Sequence, residues 1–327
     1  MSNKGLILVL LVLVLLVCPV AAIGGEKANI TETQTSVEET QAAAEISQDD
    51  TILVLSSSTK KISEIEMFEY VVGAVAAEMP ATYHSQALRA QAVACYTYAL
   101  RARQNDSDES LDGAHISDSS DKHQGYIDKS ARKEKWGDKY ETYEKKIEEA
   151  VTEVLGKKLM FDGELITAAF HAISAGRTFS SEEVWGHEVD YLQSVTSAGD
   201  KLSPDYSRTV VLTQEQFKKA VKGLDGVKLG DNPEDWTANI KKTDSGYVET
   251  VEIGGTTFTG VQVREALELR SAAFEIEYED ENFRITTNGY GHGVGMSQYG
   301  ADYMARQGST WEEILLHYYK GAKIESD

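Results

Sequence analysis

Cysteine, proline and basic charge are all scarce in this chain. Its 327 residues hold two cysteines and four prolines. Cys18 lies in an apolar leader, so the body beyond it carries one thiol, Cys95, and no intrachain disulfide. That excludes a disulfide-stapled scaffold and a cysteine-rich zinc module. The fold must rest on a hydrophobic core, for which 41% apolar residues suffice. Cys95 has aliphatic neighbours and no base beside it, and reads as an inert buried thiol. Lysine and arginine number 32 against 53 acidic residues, a net charge of −21. No basic stripe offsets this, which argues against a nucleic-acid partner, because phosphate binding depends on clustered positive charge. A P-loop, a dinucleotide fingerprint and a G-x-S-x-G elbow are also missing.

What is present starts with an uncharged run after Lys4. Residues 6–20 are apolar without a break, and the span to Gly25 carries no charge. This is long enough for a membrane helix, although Val20-Ala21-Ala22 would also suit signal peptidase. Residues 1–23 are therefore expected to be a membrane anchor or signal segment. Residues 24–50, rich in Thr, Glu, Gln and Ser, read as a flexible polar tether.

A folded domain over residues 51–327 should open with the strand "TILVL", followed by a polar gap. Helical spacing runs over 67–77 and 84–103, and Pro80 pushes Met79 out of the helical region, so the first helix should stop at or just before Glu78. Residues 105–125 are polar and irregular, and 139–155 form a charged amphipathic helix. A hairpin turns on Asp162-Gly163. Thr213 and Gln216 form a capping box. Strand, Gly-Gly turn, strand and helix follow, and a last helix covers 309–319. Helices and strands mix without regular β-α-β units, which predicts an α+β fold with a helical pair, an irregular β-sheet region and a Gly-rich loop.

Several constellations can carry chemistry. Glu78 lies among Val75, Ala76, Ala77, Met79 and Pro80, where desolvation would raise its pKa toward that of a general acid. "GYGHGVGMSQYG" spends glycine freely, which calls for positive φ or a close approach to the backbone. It reads as a surface for a flat polar ligand, with His292, Ser297, Gln298 and Tyr299 supplying hydrogen bonds. His171, Ser174, Arg177, Ser181 and Glu182 are suitable sugar-contacting types. His115 and His123, with Asp118 and Asp121, form a zinc-compatible set whose spacing matches no standard ligand pattern.

Together, "VVGAVAAEMPATYHSQALRAQAVACYTYAL" and "GYGHGVGMSQYGADYMARQGSTWEEILLHYYKGAKI" resemble the stage II sporulation protein D family, which shares its domain with an amidase enhancer. The resemblance runs over residues 65–324 and is supported by "FHAISAGRTFSSEEVW" and "GVQVREALELRSAAFEI". It implies that 51–327 is a catalytic domain, a peptidoglycan lytic transglycosylase that cleaves between N-acetylmuramic acid and N-acetylglucosamine on peptide-stripped strands, leaving 1,6-anhydro ends. Glu78 matches the family's catalytic glutamate, and no cofactor is implied. Tyr96 stands where the family usually has arginine, so Arg89 or Arg101 would have to replace that contact. Relatives with cysteines near 117–124 could bind zinc; here only His115 and His123 could keep such a site.

The implied partners are glycan strands, the amidase stage II sporulation protein P, and stage II sporulation protein M, in engulfment during endospore formation. The implied place is the cell membrane, with the domain outside, or secretion if the leader is cleaved. The rival readings are a non-catalytic glycan-binding amidase enhancer and a zinc hydrolase. If the glycan reading holds, Glu78 and His292, over two hundred residues apart in the chain, should meet in one groove.

Overall fold

The computed structural model describes residues 50–104, 109–119 and 122–327. The expected leader and all but the last residue of the tether lie outside the described residues. Among the described residues no helix is long and apolar enough to cross a membrane.

The fold is mixed α+β. Thr51–Leu55 is the expected strand, and it pairs antiparallel with Ile62–Glu66. That partner occupies the expected polar gap. Its side chains are mostly exposed, so the apolar pattern that reveals a half-buried strand is missing. Helix α1 (Met67–Glu78) ends where Met79 adopts extended backbone ahead of Pro80. Helix α2 (Ser85–Gln104) follows and buries Leu88, Gln91, Cys95 and Tyr96.

A helix that sequence spacing does not reveal, α3 (Lys129–Trp136), precedes α4 (Tyr140–Val154). Eight mostly charged residues show no apolar stripe, and α3 is held instead by one cation. Arg132 is fully buried. Its guanidinium donates twice to Glu144 at 2.8 Å, once to Glu69 at 2.7 Å and once to the Ile127 carbonyl at 3.0 Å. This bidentate pairing joins α1, α3 and α4 through groups that could not stay buried singly.

Beyond α4, Lys157–Phe161 and Glu164–Leu165 form the expected hairpin. Asp162 and Gly163 both have positive φ, as a type I′ turn requires. Lys323–Ser326 pairs along the other side of Lys157–Phe161. Helix α5 (Ser181–Trp185) is short, opened by a Ser180–Glu183 capping box and closed by Gly186 in the left-handed region.

Residues 51–327, expected as one domain, bury two large hydrophobic cores and a small cluster of Leu55, Leu111 and Ala114 among the described residues. The larger surrounds α1, α2 and α4. The smaller lies between 207 and 290, where the faces of Phe217 and Phe283 stack at 4.0 Å. It is built from α6 (Gln214–Val221), with the expected Thr213–Gln216 box, from α7 (Gly260–Ala266), and from two three-stranded sheets. The chain then returns to the larger core through α8 (Gln298–Arg306) and α9 (Trp311–Tyr318), two helices where one over 309–319 was expected.

Arg132→Met is expected to lose about 3–5 kcal/mol of stability in urea unfolding, because Glu144 would be left buried and unpaired. Arg132→Met with Glu144→Leu should recover most of that loss.

Candidate functional site

Glu78 is the last residue of α1, and its carboxylate reaches the wall of a cavity of about 470 Å³. Tyr98 of α2, His123, Gln124, Trp185 at the end of α5, and His292 also line this cavity, with the backbone segment 167–170 between them. Glu78 and His292 therefore share one cavity, as the two separated motifs led us to expect.

The strap before Tyr126 brings the Gly125 N–H to Glu78 Oε1 at 2.6 Å. A Cβ at position 125 would stand 2.8 Å from that oxygen, so a bare backbone is needed for this approach. Burial raises the pKa of Glu78 above the usual carboxylate range, while the Gly125 N–H and the positive charge of Lys135 pull it back. Lys135 reaches the same helix end, where Nζ donates to the Ala76 carbonyl at 2.8 Å. The result is a carboxyl that holds its proton to higher pH than an ordinary glutamate yet has partners for its ionised form.

The glycine loop works differently from the sequence expectation. Gly289, Gly291, Gly293 and Gly295 all have positive φ. The space left by their missing side chains is filled by the protein itself. A Cβ on Gly295 would fall 2.0 Å from the Ala169 carbonyl oxygen, and one on Gly293 2.2 Å from the Phe179 ring. Phe179 N–H donates to the Gly293 carbonyl at 2.8 Å, and Ile173 and Tyr290 exchange backbone bonds at 3.0 and 2.7 Å. The glycines thus seat the loop against residues 169–179, and His292 is its member in the cavity wall.

His292 has its imidazole tied to backbone. Nδ1 accepts from Val294 N–H at 3.1 Å, and the ring also bonds the Phe170 carbonyl. Burial lowers its pKa to about 4, with the Phe170 bond opposing and Arg264 adding to the shift. His171 next to it is lowered to about 3, again mainly by burial. It donates through Nδ1 to the Val294 carbonyl at 3.1 Å, and its Nε2 is buried without a partner. Both rings are neutral at neutral pH, their centroids 5.7 Å apart. His292 is a fixed wall lying 6.2 Å from the Trp185 ring, where the sequence suggested a free hydrogen-bonding group.

The other expected contact residues lie outside this cavity: Glu182 lines two neighbouring ones, and the rest are engaged by protein partners. Ser174 and Ser297 both donate to buried Asp200, Ser297 at 2.8 Å. Ser297 also caps α8 by accepting from Gly300 N–H. Gln298 Nε2 donates to Gln91 Oε1 at 3.3 Å, linking α8 to α2. Tyr299 packs edge-on against Tyr83. Arg89 pairs with Glu153 at 2.6 Å, and the Tyr96 hydroxyl donates to the Asp327 carboxylate. Ser181 Oγ accepts from Val189 N–H, and Arg177 donates to Thr196 and to the Ser194 carbonyl. Asp200 and Trp185 had no signal in the motifs: "SAGD" looks like any turn, and an exposed tryptophan shows itself only on a surface.

For a metal, His115 Nδ1 accepts from Leu53 N–H at 3.0 Å, and His123 Nδ1 bonds Ser117 Oγ at 2.9 Å. Among the described residues no three His, Cys, Asp or Glu side chains cluster closely enough to hold an ion.

Comparison with known proteins places these residues in a wider context. A family model described as stage II sporulation protein matches residues 56–161, the stretch that holds Glu78, Gly125 and Lys135. The chain is 37% identical to stage II sporulation protein D of Bacillus subtilis (strain 168), over 97% of this chain and 92% of that protein. It is 36% identical, with the same coverage, to stage II sporulation protein D of Bacillus amyloliquefaciens. It is 25% identical, over 78% of this chain and 40% of its counterpart, to an amidase enhancer of Bacillus subtilis (strain 168).

The lowered histidines set a pH dependence. An unfolded imidazole takes up a proton near pH 6.5, whereas His292 in the fold resists until about 4. Stability from this source is complete above the unfolded value and declines as pH falls through that window. The long-range ¹H–¹⁵N signals of His171 and His292 should therefore stay neutral from pH 8 down to roughly pH 5. Titration of either ring near 6.5 would contradict the burial described here.

Proposed function

The chain belongs to the stage II sporulation protein D family, and from that premise we propose that it is a peptidoglycan lytic transglycosylase with Glu78 as its acid. The observation that carries the reading is the single carboxylate at the cavity. Among the described residues Glu78 is the one acidic side chain in that wall; Asp118 borders a separate cavity, which Glu78 shares with Gly125 and Lys135. Hydrolysis of a glycoside normally takes two carboxyl groups, one as acid and one to activate water or attack directly. An intramolecular displacement needs one.

In the proposed step, protonated Glu78 donates to the oxygen that links C1 of N-acetylmuramic acid to C4 of N-acetylglucosamine. That C1–O bond breaks while the muramic 6-hydroxyl oxygen bonds to C1. The hydroxyl proton passes to the Glu78 carboxylate, which regenerates the acid. The product is a 1,6-anhydro end, and no water is consumed. Burial raises the pKa of Glu78 and so enlarges the protonated fraction that can start the step, and Gly125 N–H and Lys135 stabilise the carboxylate that forms midway. Trp185, 37% exposed, offers an aromatic face to a sugar ring. We further propose that the strand has first been stripped of peptides by the amidase stage II sporulation protein P. Stage II sporulation protein M would then complete a membrane-held engulfment complex, with this domain outside the cell membrane.

A second reading is favoured by the relative named amidase enhancer, in which the protein binds glycan and stimulates an amidase without cutting. Both readings are tested by digesting amidase-treated peptidoglycan with the purified protein and with Glu78→Gln, and reading products by mass spectrometry. Anhydro-muramic ends from the wild type alone are expected. Tight glycan binding and faster amidase action without cleavage would replace the enzyme with the enhancer.

Because Glu78 must be protonated to act, kcat/KM should fall as pH rises through its raised pKa. Lys135→Met removes a charge that favours the carboxylate, so this alkaline limb should move to higher pH. The same raised pKa means the ionised group costs the fold stability at neutral pH, a cost that disappears below the unfolded carboxylate range. Glu78→Gln should then be inactive yet on the order of 1 kcal/mol more stable at pH 7, with the gain lost in acid.

A further inference from the structure

Trp185 belongs to two cavities. One side of it lines the Glu78 cavity with His292. It also lines a second cavity of about 710 Å³, whose other walls come from α5 and from segment 243–261, with Tyr247 a member of the larger core and Val261 packed against it. Thr243, Tyr247, Glu249 and Thr250 lie before and along the strand Val248–Ile253, and Val261 lies on α7. Both volumes fall in the range of ordinary ligand sites, about 300–1,000 Å³.

The tryptophan between them is held in place. Helix α5 is stopped directly after it by Gly186 and opened by a capping box, while Glu183 Oε1 accepts from Ser245 Oγ at 2.8 Å. That bond ties α5 to the segment leading into the smaller core. Tyr247 packs edge-on against Phe179 at 4.9 Å, a second tie between the same regions. An exposed, rigid aromatic shared by adjoining cavities suits a ligand that repeats, because neighbouring units can use the same surface.

We propose that the second cavity is a remote saccharide subsite, so that a glycan strand cleaved at Glu78 continues across Trp185 and seats a further sugar between α5 and segment 243–261. The inference rests on the glycan reading of the Glu78 cavity. The lining chemistry narrows the sugar. Glu182 and Glu249 supply acceptors for hydroxyl and amide N–H donors and Thr250 supplies a hydroxyl, while Glu183, already held by Ser180 and Ser245, adds negative charge. No lysine or arginine lines it. An anionic unit would meet repulsion there, so the seated residue is an uncharged N-acetylhexosamine, and the carboxyl-bearing sugars of the strand face outward. A polyanionic wall polymer is disfavoured on the same ground.

The test uses full-length Glu78→Gln protein, which cannot cleave, with peptide-free peptidoglycan strands as probes. One probe is a tetrasaccharide and the other a long-strand fraction. Thr250→Trp fills the second cavity from a strand position that accepts a large ring. It should weaken long-strand binding about tenfold and leave tetrasaccharide binding unchanged, which also reports that the protein is folded. Glu249→Ala, at an exposed position, should weaken long-strand binding alone by a smaller factor. Trp185→Ala should weaken both probes. Equal long-strand affinity in the parent, Thr250→Trp and Glu249→Ala proteins would overturn the remote subsite and leave the Glu78 reading standing. Absence of binding to either probe by the parent would overturn both.

Discussion

The buried carboxylate of Asp200 is the constraint on which the rest of the arrangement depends. It is fully excluded from solvent, and a charge or a carboxyl in that position must be met by donors. Ser174 donates from both its backbone N–H and its hydroxyl, and Ser297 and Ser197 add theirs. Those serines come from three separate stretches: the turn after the strand Phe170–His171, the junction of the glycine loop with α8, and the segment before Asp200 itself. Satisfying one acid therefore fixes three loops relative to one another. Desolvation raises the Asp200 pKa while these hydrogen bonds oppose it, so the knot meets both the charged and the neutral demand of the group.

The rest of the cavity follows from that knot. With Ser297 held, α8 starts in a set direction, Gln298 reaches Gln91, and Asp302 accepts the His84 N–H at 2.6 Å. Both bonds anchor α8 to the start of α2, the helix that follows Glu78 and Pro80. With Ser174 held, residues 169–179 form the surface against which the glycine loop lies, and His292 is carried into the cavity wall that Glu78 shares. The motif that looked like a binding surface is thus a joint, and the surface it presents to the cavity is one imidazole.

At Glu78 the same physics is tuned differently. Asp200 is surrounded by hydroxyl donors and has nowhere to go. Glu78 has one backbone N–H and a nearby ammonium, and its remaining lone pairs face a cavity. A carboxyl that is desolvated but incompletely satisfied is poised to exchange its proton with a ligand, whereas a fully bonded one is poised to hold loops together. Both are acids that the fold keeps from water, and their roles divide on how many donors each meets.

Local rules written in the sequence settled the local structure. Pro80 ended α1 at Glu78, Asp162-Gly163 turned a hairpin, Thr213 and Gln216 capped α6, and an acid among apolar neighbours carried a raised pKa. The family likewise was legible, because "GHGVGMSQYGA" and "AAEMP" are short, contiguous and unusual. Pairings across the chain were not. Strand Ile62–Glu66 and helix α3 carry no apolar period, and they exist because Thr51–Leu55 and Arg132 hold them. Ser174, Ser297 and Gln298 looked like ligand groups because a hydroxyl or amide in sequence does not reveal its partner. Tertiary structure alone decided that those partners are Asp200 and Gln91, and that Trp185 stands in the open beside His292. Spacing along a chain encodes which residues share a helix face or a turn. Which polar group meets which is set by closure of loops tens to hundreds of residues long, where the whole fold chooses the geometry.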